Sequence, residues 1–126
     1  MPIERQRWLA VAAWDALNAR LKRVVGVFDE SLRRDLQTMT ATGTLTLTYP
    51  RTTLTVDTTG GSATITLPPA ASVPGFELVV IKSVAANTVT LDGAGSETIS
   101  GAATLAWSTQ WQTYTLTTNG TNWVIM

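Results

Sequence analysis

The chain has 126 residues, with nine basic and nine acidic side chains and neither histidine nor cysteine. A formal charge of zero leaves no basic stripe to displace counterions from phosphates, so no nucleic-acid partner is expected. The missing His and Cys remove the commonest general base, the thiol nucleophile, disulfides and the usual zinc ligands, so no catalytic residue, metal or cofactor is expected either.

In chain order, Glu4, Arg5, Gln6 and Arg7 lead into a short apolar stretch, residues 8–13, which Asp15 soon interrupts. That is not the pattern of a signal peptide. No run of apolar residues approaches the ~20 needed to insert across a bilayer. The chain reads as soluble and made in the cytoplasm. Pro2 suits a first helical turn, and Glu4 favours the positive end of the helix dipole. Good helix formers dominate residues 4–37, with no internal proline. Apolar side chains recur at Trp14, Leu17, Leu21, Val24 or Val25, Phe28, Leu32 and Leu36 or Met39. Steps of three and four lay them along one stripe. Unbroken, this helix would be about 50 Å long at ~1.5 Å per residue. Gly26 weakens its middle by roughly 1 kcal/mol relative to alanine, which allows a kink or two shorter helices.

The stripe needs a partner. Other copies of the helix would give a short coiled coil; the chain's own β half or a neighbouring protein is the alternative. Self-association is the preferred reading, because the β half has little surplus apolar surface to cover so long a helix. Trp8 and Trp14 precede the best heptads and suit an anchor, or ordinary helix–helix core. The expected oligomer interface or anchor is therefore Trp8, Trp14, Leu17, Leu21, Val24, Phe28 and Leu32.

Composition changes near Gln37, beyond which charges become sparse and Thr, Gly, Ser, Val, Leu and Ile take over. This divides the chain into a helical stalk or anchor, residues 1–40, and a Thr-rich all-β domain, residues 41–126. Thr42, Thr44, Thr46 and Thr48 alternate with Gly43, Leu45, Leu47 and Tyr49, the period of a strand with one apolar face. Residues 53–57 continue with Leu54 and Val56 inward. Thr59-Gly60-Gly61-Ser62 is a turn, followed by Ala63, Ile65 and Leu67 on one face. Pro68-Pro69 stops pairing, since neither can donate to a ladder. Residues 76–83 are apolar on both faces at Leu78, Val79, Val80 and Ile81, which predicts the most buried strand. Val89 and Leu91 then face inward, residues 97–100 form a short strand around Ile99, and Leu105 shares a face with Trp107. Tyr114 and Leu116 point in, Asn119-Gly120 is the best hairpin turn, and Trp123 and Ile125 lie on a last strand. Many short strands at spacings of about 8–12 residues predict a small antiparallel β-sandwich or barrel-like domain.

Almost none of these strands carries the lysine, inward charge or proline that discourages edge pairing. Thr-covered faces can pack and hydrogen-bond between subunits without desolvating a charge. So small a β domain is also marginal on surface-to-volume grounds. All three features favour a homo-oligomer.

Candidate chemistry is thin. Asp92 and Glu97 flank a Gly-rich loop, where solvated turn residues explain them better than a pair of acid–base catalysts. Asp57 precedes a turn and should bond to its own backbone. Gly93-Ala94-Gly95 lacks the lysine and following helix of a phosphate loop. Trp111 has opposite parity to Tyr114 and Leu116, so it should leave the core face or sit in the turn at residues 108–110; exposed, it is either a subunit contact or a ligand platform. Trp111, Asp92 and Glu97 are the candidate contact residues.

One ordered set of motifs goes further. Val56-Asp57-Thr58-Thr59-Gly60-Gly61, Ile65-Thr66-Leu67-Pro68-Pro69-Ala70, Gly75, Asn87-Thr88-Val89-Thr90-Leu91, Glu97-Thr98-Ile99-Ser100-Gly101 and Asn119-Gly120-Thr121-Asn122-Trp123 succeed one another over residues 50–126. Together they resemble a β module of tailed-bacteriophage fibre, spike and head-decoration proteins. The resemblance implies a virion structural protein, a homotrimer, and no catalytic residues. The helical segment lies outside it; its attachment to other virion proteins of capsid or tail is inferred from the stripe and the tryptophans. The alternative is a receptor-binding tip module that recognises a host surface glycan or protein.

Overall fold

The computed structural model describes residues 16–21, 23 and 34–126. Residues 16–21 and 23 are helical. Leu17 and Leu21, four residues apart and so on one helix face, are 47% and 50% exposed. Trp8, Trp14, Val24, Phe28 and Leu32, the other residues of the expected stripe, lie outside the described residues, as does the question of a coiled coil. Arg33–Met126 form a separate compact unit.

That unit is mainly β, in nine strands: β1 (Arg34–Met39), β2 (Gly43–Thr44), β3 (Arg51–Val56), β4 (Ala63–Thr66), β5 (Glu77–Lys82), β6 (Val89–Asp92), β7 (Thr104–Trp107), β8 (Thr113–Thr118) and β9 (Trp123–Ile125). The first is a correction to the helical reading, which ran to Gln37. Leu32, Leu36 and Met39 fit a helical stripe, but Asp35, Gln37 and Met39 equally fit the alternation of a strand, and pairing with β3 decides between them.

The sheets are mixed rather than antiparallel, a second correction. One has the order β1-β3-β5-β8-β9 and the other β2-β4-β6-β7. From β1 to β6 the chain alternates between them, so that it winds around a common core and leaves one strand in each sheet per turn. Neighbours within a sheet therefore run parallel: β1 with β3, β3 with β5, β2 with β4, β4 with β6. The winding then ends. Strand β7 folds back antiparallel on β6, and β8 and β9 extend the larger sheet antiparallel beyond β5. Alternation along a strand reports which face is buried, not which strand lies alongside.

Inward residues of both sheets join in one core that includes Leu54, Val56, Ile65, Leu78, Val80, Leu91, Leu116 and Trp123. Strand β5, apolar on both faces, takes the centre of the five-stranded sheet. Leu45 and Leu47 are buried, but only Gly43–Thr44 of their segment joins a ladder. Trp123 is wholly buried and its indole N–H donates to the Pro68 carbonyl at 3.1 Å, so the last strand is tied to the proline loop as well as to β8.

The two ends of the winding are finished differently. At the β9 edge, Ile99 bridges Trp123 in parallel, Trp123 N donates to Thr98 O, Ser100 N donates to Trp123 O, and Ile125 N donates to Ser100 Oγ. Backbone groups that would otherwise template another strand are thereby used. At the β1 edge, the inward, half-buried positions are Asp35, Gln37 and Met39. Gln37 Nε2 donates to Asp35 Oδ2 at 3.0 Å and to Thr46 O at 2.9 Å, which closes that end with polar groups. This strand, which the sequence reading placed in the helical segment, carries an inward charge of the kind that discourages edge pairing.

Candidate functional site

Three places in the β unit can meet another molecule: the outer face of the larger sheet, an uncharged cleft, and the turn bearing Trp111. The sheet face is set by register. Its middle row runs Leu36, Thr53, Val79, Thr115 across β1, β3, β5 and β8, and Met126 N donates to Thr115 O. Leu36 is 76% exposed and Met126 64%. The next row, Thr38, Thr55, Ile81, Thr113, is also uncharged. Charge gathers in the row on the other side, where Arg34 reaches over β3 to Glu77 at 2.9 Å and to the Thr53 hydroxyl at 3.1 Å. An exposed pair of this kind contributes about 0–1 kcal/mol, so it sets the rim of the face rather than its stability.

The smaller sheet presents the opposite surface. Its outer rows are Thr44, Thr66, Asp92, Thr104 and Thr64, Thr90, Ala106, almost wholly hydroxyl. Beside β2 lies a cleft of about 480 Å³ lined by residues 44–47, 66–69, Ser72, Val73, Ala94 and Gly95. Among the described residues no ionisable side chain lines it, so these residues offer shape and hydroxyls but no general acid or base.

Asp92 and Glu97 are not brought together as a pair. Asp92 stands in the outer row of the smaller sheet. Glu97 turns to the 3-10 segment Ala70–Ser72, where its two carboxylate oxygens accept from Ala70 N at 3.1 and 3.0 Å. Its charge is thus engaged in holding two loops together. Gly93 belongs to the same lock, since a Cβ there would run into the Glu97 carbonyl oxygen. Asp57 bonds to its own turn: its Oδ1 accepts from Thr59 Oγ1 and Thr59 N at 2.5 and 2.9 Å. The Thr59 hydroxyl first, and the Thr59 amide second, hold the Asp57 carboxyl below the usual carboxylate range.

Trp111 is 65% exposed and lies in the turn before β8, the second of the two placements expected of it. Gln112 N donates to Thr109 O at 3.2 Å, closing a turn in which Trp111 is the third residue with φ +67°. Glycine or asparagine normally fills that position, because a side chain is strained there. For a bulky residue the cost is about 1–3 kcal/mol. Surrounding bonds impose the conformation: Trp111 N donates to Lys82 O at 2.8 Å, and Thr113 Oγ1 donates to Trp111 O at 3.1 Å. Beneath it, Trp107 Nε1 donates to Gln112 O at 3.1 Å and the Trp107 and Tyr114 rings meet edge to face at 4.8 Å.

Lys82, which sequence reasoning passed over, is wholly buried. It ends β5 on the inward parity of Leu78 and Val80. Its ammonium donates to the carbonyls of Val84 and Ala86. Ala86 O also accepts from Thr58 Oγ1, and Thr58 O accepts from Asn87 Nδ2 at 2.7 Å. The side chain thus pins the loop after β5, while the Lys82 carbonyl holds Trp111 N. Its inward parity on an apolar strand was the available signal.

Among the described residues no three His, Cys, Asp or Glu side chains converge as a metal site, and no helix is long and apolar enough to cross a membrane. No family model matches the chain, and no curated protein is similar to it.

Proposed function

We propose that the chain is a non-catalytic structural component of a bacteriophage virion: a short homotrimeric fibre, spike or capsid-decoration protein, with residues 1–40 holding it to other virion proteins. The observation that supports assembly is the outer face of the larger sheet. Rows of Leu, Val, Ile and Thr cover four strands, with Met126 beside them, without a charge except at one rim. Apolar residues there gain from burial at roughly 25 cal/mol per Å², and the threonines can be paired across a contact. The phage particle and the threefold number rest on the ordered motifs of residues 50–126 alone.

Mass in solution tests the assembly. The full chain should exceed its monomer mass by light scattering at micromolar concentration. Val79→Asp, which sets a carboxylate in the middle row, should return it to the monomer with the fold intact, weakening association at least 100-fold, since an unpaired buried charge costs about 3–5 kcal/mol. A wild-type monomer sinks the reading. Gold-labelled copies located on purified particles by electron microscopy test the virion role.

A further inference from the structure

We infer that the Trp111 turn is a binding site for neutral saccharide, with the indole as a stacking platform and the flanking glutamine amides as hydrogen-bonding arms. Three observations converge on it. Trp111 stands 65% exposed in a backbone conformation that favours glycine, so the ring is held out against a local preference that a smaller residue would satisfy. Strained backbone at a surface aromatic points to a role in recognition, because folding alone would select against it.

The second observation is the fixing of the arms. Gln110 Nε2 donates to Ser83 O at 3.1 Å, and Gln112 Nε2 donates to the Tyr114 hydroxyl at 2.8 Å. Each amide is oriented through its nitrogen and keeps an oxygen for an incoming hydroxyl donor. Less rotamer freedom is then lost on binding. The third is charge. Ser108, Thr109, Gln110, Gln112 and Thr113 surround the ring in sequence, and the cation of this corner, Lys82, is buried and spent on Val84 and Ala86. A saccharide presents a C–H face to stack on an aromatic ring and hydroxyls at its rim to meet amides. An acidic sugar would find no counter-ion on these residues. The site lies at the turn between β7 and β8, two residues before Thr113 of the outer face and beyond the Leu36–Val79 row, so mass and saccharide binding are read separately.

A printed array of neutral and acidic oligosaccharides, followed by titration calorimetry with the best neutral binder, tests it. Wild type should bind neutral saccharides in preference to acidic ones. Trp111→Gly should lose at least tenfold in affinity while its melting temperature stays level or rises, because glycine relieves the turn. Trp111→Tyr should recover part of the loss. Light scattering of the same samples separates the outcomes. A monomeric wild type that binds would sink the assembly and leave this site standing. Absence of binding to any neutral saccharide overturns the site, as does binding undiminished in Trp111→Gly. A fall in mass with Trp111→Gly would make the ring a contact between copies and also overturn it.

Discussion

The two sheets share one core and one supply of threonine, yet they use them in opposite ways. In the smaller sheet the inward positions are Ala63, Ile65, Val89, Leu91, Leu105 and Trp107, and the outward ones are threonine apart from Asp92 and Ala106. Polar out and apolar in is what a sheet with one wet face requires. The larger sheet departs from this on both faces. Outside it carries Leu36, Val79 and Ile81; inside it carries Asp35, Gln37, Thr52 and Lys82. Departures from local rules concentrate where a surface has a job besides folding. On the proposed reading the larger sheet is the one that meets other copies, and its departures on both faces are what set it apart from the smaller sheet.

Making the larger sheet resemble the smaller sharpens this contrast, and the largest effect belongs to Lys82. Truncation in Lys82→Ala removes a fully buried aliphatic stem, takes the ammonium from the Val84 carbonyl and leaves the Ala86 carbonyl with the Thr58 hydroxyl alone. A loss of about 2–4 kcal/mol is expected by denaturant titration. An effect within about 0.5 kcal/mol, the range of ordinary surface substitutions, would mean the ammonium does not pin the loop. Thr52→Val comes next, with the opposite sign. The Thr52 hydroxyl is buried with no partner among the described residues, at an inward position between Asp35 and Leu78. Replacing it with a methyl of similar shape removes an uncompensated desolvation, so the variant should gain about 1 kcal/mol. A less stable variant would reveal a partner for that hydroxyl and remove Thr52 from the contrast.

How far the sequence discloses this contrast depends on the residue asked about. Leu54, Val56, Ile65, Leu91 and Leu116 show their burial through simple alternation, and all are buried. Strand β5 shows its central place through apolar residues on both faces. Partner strands are another matter. Thr53 beside Val79, or Thr66 beside Asp92, results from winding, and nothing within a six-residue strand encodes the direction of its neighbour. The segment around Leu36 satisfied two periods at once, and only pairing with β3 separated them. At the candidate site, parity alone put Trp111 outside. Its left-handed backbone depends on Lys82 O, which lies far away in sequence. Glu97 looked like a loop carboxylate open to a ligand because its partner, Ala70 N, is supplied by the tertiary fold.

The smallest expected effect concerns Asp57, in the turn that hands the chain from β3 in the larger sheet to β4 in the smaller. Both bonds to its carboxylate come from Thr59, and they favour the ionised form. With the native pKa depressed, folding is favoured while the carboxylate is charged in both states. That contribution is complete above the ordinary unfolded value of ~4 and is lost as pH falls through the lower native one. The difference in melting temperature between wild type and Asp57→Asn should accordingly be small and positive near neutrality and shrink below pH ~4. A difference that widens on acidification would mean that the two Thr59 bonds do not favour the charged form. The turn would then owe its shape to Thr58, bonded to Ala86 and Asn87 of the loop after β5, and the handover between sheets would be set by the Lys82 corner instead of by Asp57.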